Sequence, residues 1–273
     1  MRRQPEGIRR HYEIERELSD RLRNSDWQER ARLYSEVYDE LFRRVPDHPQ
    51  NERKASAAAQ AERMREELAL LKPFLSRENT YLEIGAGDCA LAFEVARRVA
   101  RVYAIDVSAE IAPREGNPAN FELIISDGRS VPVAPGSVDV VFSDQLMEHL
   151  HPDDAREQLG QIHGALRAGG RYVFITPNRL SGPHDISKHF DDEPTGFHLR
   201  EYTNRELVAL LRETGFERVQ AFVQVGPLHL RFPVAFVTAF ETLLERLGGP
   251  GRRIARLPLA RKVLGCRLAA VRA

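Results

Sequence analysis

From Thr80 to Val225, short apolar runs alternate with stretches whose apolar residues recur every three or four positions. The runs at 80–84, 101–105, 120–125, 138–143, 170–176 and 217–225 read as strands, and the periodic stretches at 89–99, 152–167 and 203–214 as helices. That alternation predicts an α/β fold, a mostly parallel sheet with crossover helices. Ala168-Gly169-Gly170 is a helix stop before the fifth strand. Upstream, residues 8–72 are charged, nearly free of glycine and helical in pattern. Tyr12, Ile14, Leu18 and Leu22 share one spacing, and Leu33, Val37, Leu41 and Phe42 repeat it. Pro46-Asp-His-Pro49 breaks the pattern before a helix over 53–72 with Met64, Leu68 and Leu71 on one face. Residues 229–262 interrupt the alternation with an aromatic helix from Phe232 to Leu247, a Gly-Gly-Pro-Gly break and a basic segment. Val263 to Val271 then returns as a seventh strand. The expected organisation is an N-terminal helical cap over 1–74 and a ligand-binding domain over 75–273, with a helical insertion at 228–262.

The first strand ends in Glu83-Ile-Gly85-Ala86-Gly87, and a helix starts at once. A strand, a Gly-rich turn and a helix form a nucleotide-binding device, because glycine allows a tight turn and a close approach of backbone to ligand. Gly85-x-Gly87-x-x-Ala90 even satisfies the dinucleotide pattern. Asp106 closes the second strand about 20 residues on, where a carboxylate accepts hydrogen bonds from both ribose hydroxyls. Either ligand, a dinucleotide or S-adenosyl-L-methionine (SAM), fits those two features. Glu83 favours SAM: an acid suits a sulfonium and an ammonium and would repel a pyrophosphate. Ile125-Ser-Asp127-Gly128 ends the third strand in another acid, able to accept from an adenine amino group.

Bulk composition narrows the class. The chain has 273 residues, 42% hydrophobic and 29% charged, with zero formal net charge. A generally basic surface for nucleic acid is absent. Cys89 and Cys266 lie far apart and suggest no disulfide framework, which favours a cytoplasmic setting. Neither a secretory h-region nor an apolar run long enough to span a bilayer is expected.

Over roughly 75–225 these residues resemble the class I SAM-dependent methyltransferases, in particular a small-molecule branch that includes ubiquinone-biosynthesis-type enzymes. The family loop [DE]-x-G-x-G-x-G matches Glu83 to Cys89, with Cys89 in place of the third glycine. Asp106, then Asp127-Gly128-Arg129, then Ser143-Asp144-Gln145-Leu-Met-Glu148-His149, then Leu166 to Ile175 follow in family order. The resemblance implies a Rossmann-like sheet of seven strands. It implies that Glu83, Gly85, Ala86 and Gly87 hold the methionine part of SAM and that Asp106 and Val107 hold the ribose. Asp127, Gly128 and Arg129 would lie at the adenine, and Ser143, Asp144 and Gln145 behind the methyl. The product would be S-adenosyl-L-homocysteine (SAH).

Methyl transfer is a direct displacement, so no covalent residue is required. A base for a hydroxyl acceptor is sought among the histidines after the sheet core: His149 first, then His184 and His189 in the long loop after the fifth strand. Glu148, His149, His151 and Asp153 carry metal-ligating groups, but Gln145 is a poor substitute for a further carboxylate, and no metal is expected. The expected reaction is O-methylation of a polar small molecule, a sugar or natural-product intermediate, with no nucleic-acid partner. RNA methylation and a SAM-binding module without turnover are the alternatives. Phe232, Phe236, Phe240, Leu243, Leu244 and Leu247 form an apparent apolar stripe, followed by Arg252, Arg253, Arg256, Arg261 and Lys262. Packing on the sheet edge, a homodimer face, or an interfacial anchor for a lipid-linked substrate are all open for 232–262.

Overall fold

The alternating stretch folds into strands β1 (Thr80–Ile84), β2 (Arg101–Asp106), β3 (Phe121–Ile125), β4 (Val138–Asp144), β5 (Leu166–Thr176), β6 (Phe216–Val225), β7 (Leu228–Phe232) and β8 (Cys266–Arg272). This is seen in a computed structural model that describes residues 4–48, 57–107, 116–226 and 228–273. The strands form one sheet in the order β3-β2-β1-β4-β5-β8-β6-β7. β1 to β5 run parallel; β8 lies antiparallel between β5 and β6, and β7 is antiparallel to β6. The order reverses between β1 and β4. In an open parallel sheet that reversal opens a crevice outside the carboxyl ends of the two strands, here after Ile84 and Asp144.

The helices are α1 (Pro5–Asn24), α2 (Trp27–Arg44), α3 (Ala57–Leu71), α4 (Ala90–Ala96), α5 (Pro152–Ala165), α6 (Asn204–Glu213), α7 (Val234–Arg246), α8 (Gly249–Ala255) and α9 (Pro258–Leu264). Side chains alternate across the sheet, so each strand feeds two cores. Leu82, Val141, Tyr172 and Phe174 join one apolar cluster with α1, α2, α5 and α6. Tyr81, Val140, Phe142 and Val173 join the other with α3 and α4. Leu18, Leu22, Val37 and Leu41 of the N-terminal helices are 0–2% exposed within the first cluster. Burial of each such side chain contributes about 1.5–3 kcal/mol, so α1 and α2 are anchored in the core of the sheet domain.

Several boundaries differ from the sequence pattern, among them the last strand, which starts at Cys266 because Val263 and Leu264 end α9. α1 and α2 are separate because Asp26 caps α2, its carboxylate accepting from the Glu29 amide at 2.8 Å. The start of the expected 53–72 helix lies partly outside the described residues. β5 begins at Leu166 rather than 170, with a register shift against β4 and Gly169 at φ +77°. The sheet has eight strands, not seven: Leu228–Phe232 is an edge strand, so the insertion at 228–262 is not wholly helical.

The aromatic stripe is also out of phase. Phe236, Leu243 and Leu247 are exposed, whereas Val237, Glu241 and Leu244 form the buried face of α7. Glu241 is the reason. Its carboxylate accepts from Asn178 Nδ2 (2.6 Å), from the Asn204 amide and Nδ2 (both 2.8 Å) and from the Arg205 amide (2.9 Å). A charged residue thus sits on the core side, held by the N-terminus of α6. The basic segment is not free either. Arg252 pairs with Glu193, and Arg256 donates to the Gly182 carbonyl (2.9 Å), so the insertion ties down the loop after β5. No described helix is long and apolar enough to cross a membrane.

Candidate active site

At the end of β1 the backbone turns through Gly85 (φ +74°) and Gly87 (φ +55°), conformations that cost glycine nothing. The Gly85 amide bonds the Ile105 carbonyl (2.8 Å), and the Gly87 amide donates to Asp106 Oδ2 (2.7 Å). The turn is therefore moored to the end of β2. Cys89 follows at φ 57°, fully buried, its thiol pushed up to about 12 by burial and then by the nearby Glu83. It is a packed thiol, not a nucleophile.

Glu83 is buried and accepts from the Tyr81 hydroxyl at 3.3 Å. α3 brings a second acid against it. Arg63 Nε donates to Glu67 (2.8 Å), and its Nη2 donates to Asp144 (2.6 Å), so one guanidinium serves the two carboxylates. Burial, then Asp144, pushes Glu67 up to about 8. Burial, then the Glu67 charge, pushes Glu83 well above the usual carboxylate range. Glu67, Glu83 and Asp144 all line one cavity. Buried acids that resist ionising together are what an incoming ammonium or sulfonium relieves, so the residues fit SAM. Arg63 and Glu67 were missed from sequence. Their only local signal is an i,i+4 ion pair on a cap helix.

That cavity has a volume of about 1330 Å³. Glu83, Gly85, Ala86, Gly87, Asp106, Val107, Gly128, Asp144 and Gln145 line it at the carboxyl ends of the strands. Gly128 stands at φ +82°, and a Cβ there would lie 3.1 Å from Val107 and 3.2 Å from Tyr34. Three expected residues point elsewhere. The Asp127 carboxylate accepts from the Ser130 (2.7 Å) and Arg129 (3.0 Å) amides of its own turn. Arg129 is buried beneath Trp27, its Cζ 4.3 Å from the ring centroid. The Ser143 hydroxyl bonds Tyr172 (2.7 Å) within the core.

The far half of the same cavity lies under α1 and α2. Six histidines line the cavity: His11, His48, His149, His184, His189 and His198, with Tyr38, Phe42, Asp185, Lys188 and Phe197. Glu201, 1% exposed, gathers two of them. It accepts from His184 Nδ1 (2.9 Å) and the His184 amide (2.7 Å), and from His198 Nδ1 (2.7 Å). Gly182 makes room, since a Cβ there would collide with the Glu201 carboxylate. Burial opposes ionisation of Glu201, yet the His184 and His198 bonds hold it at about 2. Burial likewise opposes the charge on His198, but the Glu201 bond raises it to about 9. His149 differs. Burial, then the His198 charge, lowers it to about 3, and its Nδ1 donates to the Phe197 carbonyl at 3.0 Å. A second trio, His11, Glu15 and His48, closes the chamber from the cap; against burial, the His11 and His48 bonds hold Glu15 at about 2.

A Rossmann-like sheet whose first strand ends in an acid and a Gly-rich turn, moored to a carboxylate on the second, defines the class I methyltransferase fold. Residues 82–174 match the family profile described as "Methyltransferase domain". A Mycolicibacterium smegmatis protein named "Probable S-adenosylmethionine-dependent methyltransferase" is 31% identical over 137 residues, 50% of this chain and 51% of its own. A Mycobacterium tuberculosis protein of the same name type is 32% identical over 50% of this chain and 47% of its own. The chain thus spans about half the length of these curated relatives. Among solved structures, an S-adenosylmethionine-dependent methyltransferase from Mesorhizobium loti superposes with a TM-score of 0.52 at 16% identity, over 76% of this chain and 98% of that one. A Haemonchus contortus phosphoethanolamine N-methyltransferase 2 does so with a TM-score of 0.52 at 17% identity, over 76% and 52%. At that identity the structures speak for the fold alone.

The raised Glu67 gives a measurable linkage. Its folded-state value of about 8 exceeds the ordinary 4.5, so the ligand-free protein retains a proton that the unfolded chain releases. That contribution to stability is full below about pH 4.5 and is lost as pH rises through about 8. A bound cation favours the ionised carboxylate. SAM affinity should therefore rise between about pH 6 and 7.5, with proton release seen as buffer-dependent heat in calorimetry. Glu67→Gln should flatten the slope; a wild-type affinity already flat over that range removes Glu67 from the site.

Proposed function

We propose that the protein transfers the methyl group of SAM to a hydroxyl oxygen of a polar small molecule, such as a sugar or natural-product intermediate. The observation that carries this reading is the single cavity of about 1330 Å³ running from the Gly85 turn to the histidine-lined chamber. It exceeds the range of about 300–1,000 Å³ usual for one ligand, so there is room for a cofactor and an acceptor together. When bound, SAM supplies an electrophilic methyl whose bond to sulfur breaks as the acceptor oxygen attacks, the electron pair staying on sulfur. Glu83, Glu67 and Asp106 hold that ligand. Asp127 and Arg129 support the turn after β3 and Ser143 ties β4 to β5, all from outside the cavity.

The proton of the acceptor hydroxyl needs a base. His149, first in the sequence reading, is neutral at pH 7, and its value of about 3 makes it a poor one. His184 suits the task better. The ionised Glu201 accepts its Nδ1–H and fixes Nε2 as the proton-accepting nitrogen, whose hydrogen-bond partner among the described residues is the Ser181 hydroxyl at 3.2 Å. Residues of α1 and α2 line the cavity from above. Among the described residues the arginines and lysines lining the cavity are Arg43, Arg63 and Lys188, and Arg63 is already paired with Glu67 and Asp144, so the cavity offers little to a polyanion such as RNA.

Labelled SAM should be incubated with panels of hydroxyl and amine acceptors. Methyl ethers are the expected products. His184→Gln should lower kcat by about 10²-fold or more while SAH binding stays intact. Methylation of amines alone, or a wild-type rate in His184→Gln, overturns this reading.

A further inference from the structure

The chamber holds a donor set that proton transfer through His184 does not use. Glu148, His149 and His198 each bring one ligating atom to within 4.8 Å of the others. Glu148 is fully buried. Its Oε2 accepts from the Thr176 hydroxyl at 2.9 Å, but Oε1 has no hydrogen-bond partner. An orphaned carboxylate oxygen in the core is costly and calls for a compensating group. The two imidazoles are held from behind. His149 engages the Phe197 carbonyl through Nδ1 (3.0 Å), and His198 engages Glu201 through Nδ1 (2.7 Å). Among the described residues neither Nε2 has a hydrogen-bond partner. A ring anchored through one nitrogen to a carbonyl or carboxylate, with the other nitrogen free, is how proteins orient histidine ligands.

We propose that Glu148, His149 and His198 bind a divalent transition-metal ion of the zinc class on the acceptor side of the cavity. Two imidazoles and one carboxylate suit such an ion. Both cysteines are packed elsewhere in the core and contribute no thiolate. Three protein ligands leave a coordination position open, the arrangement of catalytic rather than structural sites. His149 and His198 line the cavity, so that position faces the acceptor. An acceptor hydroxyl bound there is acidified by the ion, and its proton passes to His184. This role rests on the methyl-transfer reading; the binding of metal does not.

Sequence proximity concealed the set. His151 and Asp153 belong to the cap of α5, where His151 Nδ1 accepts from the Asp153 amide at 3.3 Å. The ligand that replaces them, His198, comes from beyond β5. The competing trio is already committed: Glu15 Oε1 bonds His11 (2.6 Å), and Oε2 accepts from the Phe197 amide (3.0 Å).

The full chain, stripped with a chelator, should be titrated with Zn²⁺ by calorimetry and with Co²⁺ by absorption and paramagnetic NMR, in each case with SAH binding measured alongside. One ion per chain is expected, with two imidazoles among the paramagnetically shifted signals. Glu148→Gln and His149→Gln should each weaken Zn²⁺ by more than about 100-fold and Glu201→Gln by about 10–100-fold, with SAH affinity unchanged. Wild-type protein that takes up neither ion, or ligand variants with wild-type affinity, overturns the proposal. If the variants do not fold, the wild-type Co²⁺ spectrum decides: no shifted imidazole signal overturns it. Loss of SAH binding in the wild type would instead count against the cofactor reading.

Discussion

Asp154→Ala is expected to cost about 3–5 kcal/mol of stability, the price of stranding buried charge. Asp154 is fully buried on α5. It accepts from Arg30 Nε (2.7 Å) and Nη2 (3.1 Å) in a bidentate pair and from the Tyr34 hydroxyl (2.7 Å), with Arg129 Nη1 at 3.7 Å. The Arg30 and Arg129 side chains are each only 5% exposed, so screening by water does little to soften the loss. Truncation leaves Arg30 Nε and Nη2 and the Tyr34 phenol without their acceptor and removes the nearby carboxylate charge from Arg129; Arg30 and Tyr34 join α2 to the sheet domain. Urea unfolding measures the cost. The control is Arg30→Met with Asp154→Leu, which removes both charges and should recover much of the loss. A cost below about 1 kcal/mol for Asp154→Ala would show that the pair does not hold the cap.

The parts of the site carried by local geometry were legible in the sequence. The turn at Gly85 and Gly87 needs positive φ, and only glycine takes it freely, so the residue types disclose the loop. Asp106 was legible because a strand that ends in an acid after a fixed spacing places it beside that loop. Ser143 and Asp127 mark where such reading stops. A motif says which strand end meets the ligand, while side chains alternate faces, so Asp144 lines the cavity and Ser143 bonds Tyr172 in the core. Asp127 turns back to its own amides, a local bond that competes with any ligand. Arg63 and Glu67 come from the helix just before β1, outside the strand-turn-helix motif, and Glu201 joins His184 and His198 through loop packing, which periodicity does not encode. In α7 the count of apolar residues favoured the phenylalanine face, whereas Glu241 chose the buried one by satisfying the α6 N-terminus.

Asp106→Ala should weaken SAM and SAH by about 10–100-fold, equivalent to about 1–3 kcal/mol for lost hydrogen bonds to a charged acceptor. Two effects combine. In the ligand-free protein Asp106 Oδ2 already accepts from the Gly87 amide (2.7 Å), so the carboxylate shapes the turn before any ligand arrives. It also lines the cavity beside Val107, where the ribose hydroxyls of the ligand are expected. Asp106→Asn separates the two contributions. The amide oxygen still accepts from Gly87, so the turn persists, but the charge that strengthens hydroxyl bonds is gone. Calorimetry should therefore rank affinity as wild type, then Asp106→Asn, then Asp106→Ala, with the alanine variant alone also losing thermal stability in the absence of ligand. Equal affinities for all three proteins would refute the ribose assignment. Equal losses for the two variants, with stability intact, would instead assign the whole effect to the hydroxyl bonds and none to the ordering of the turn.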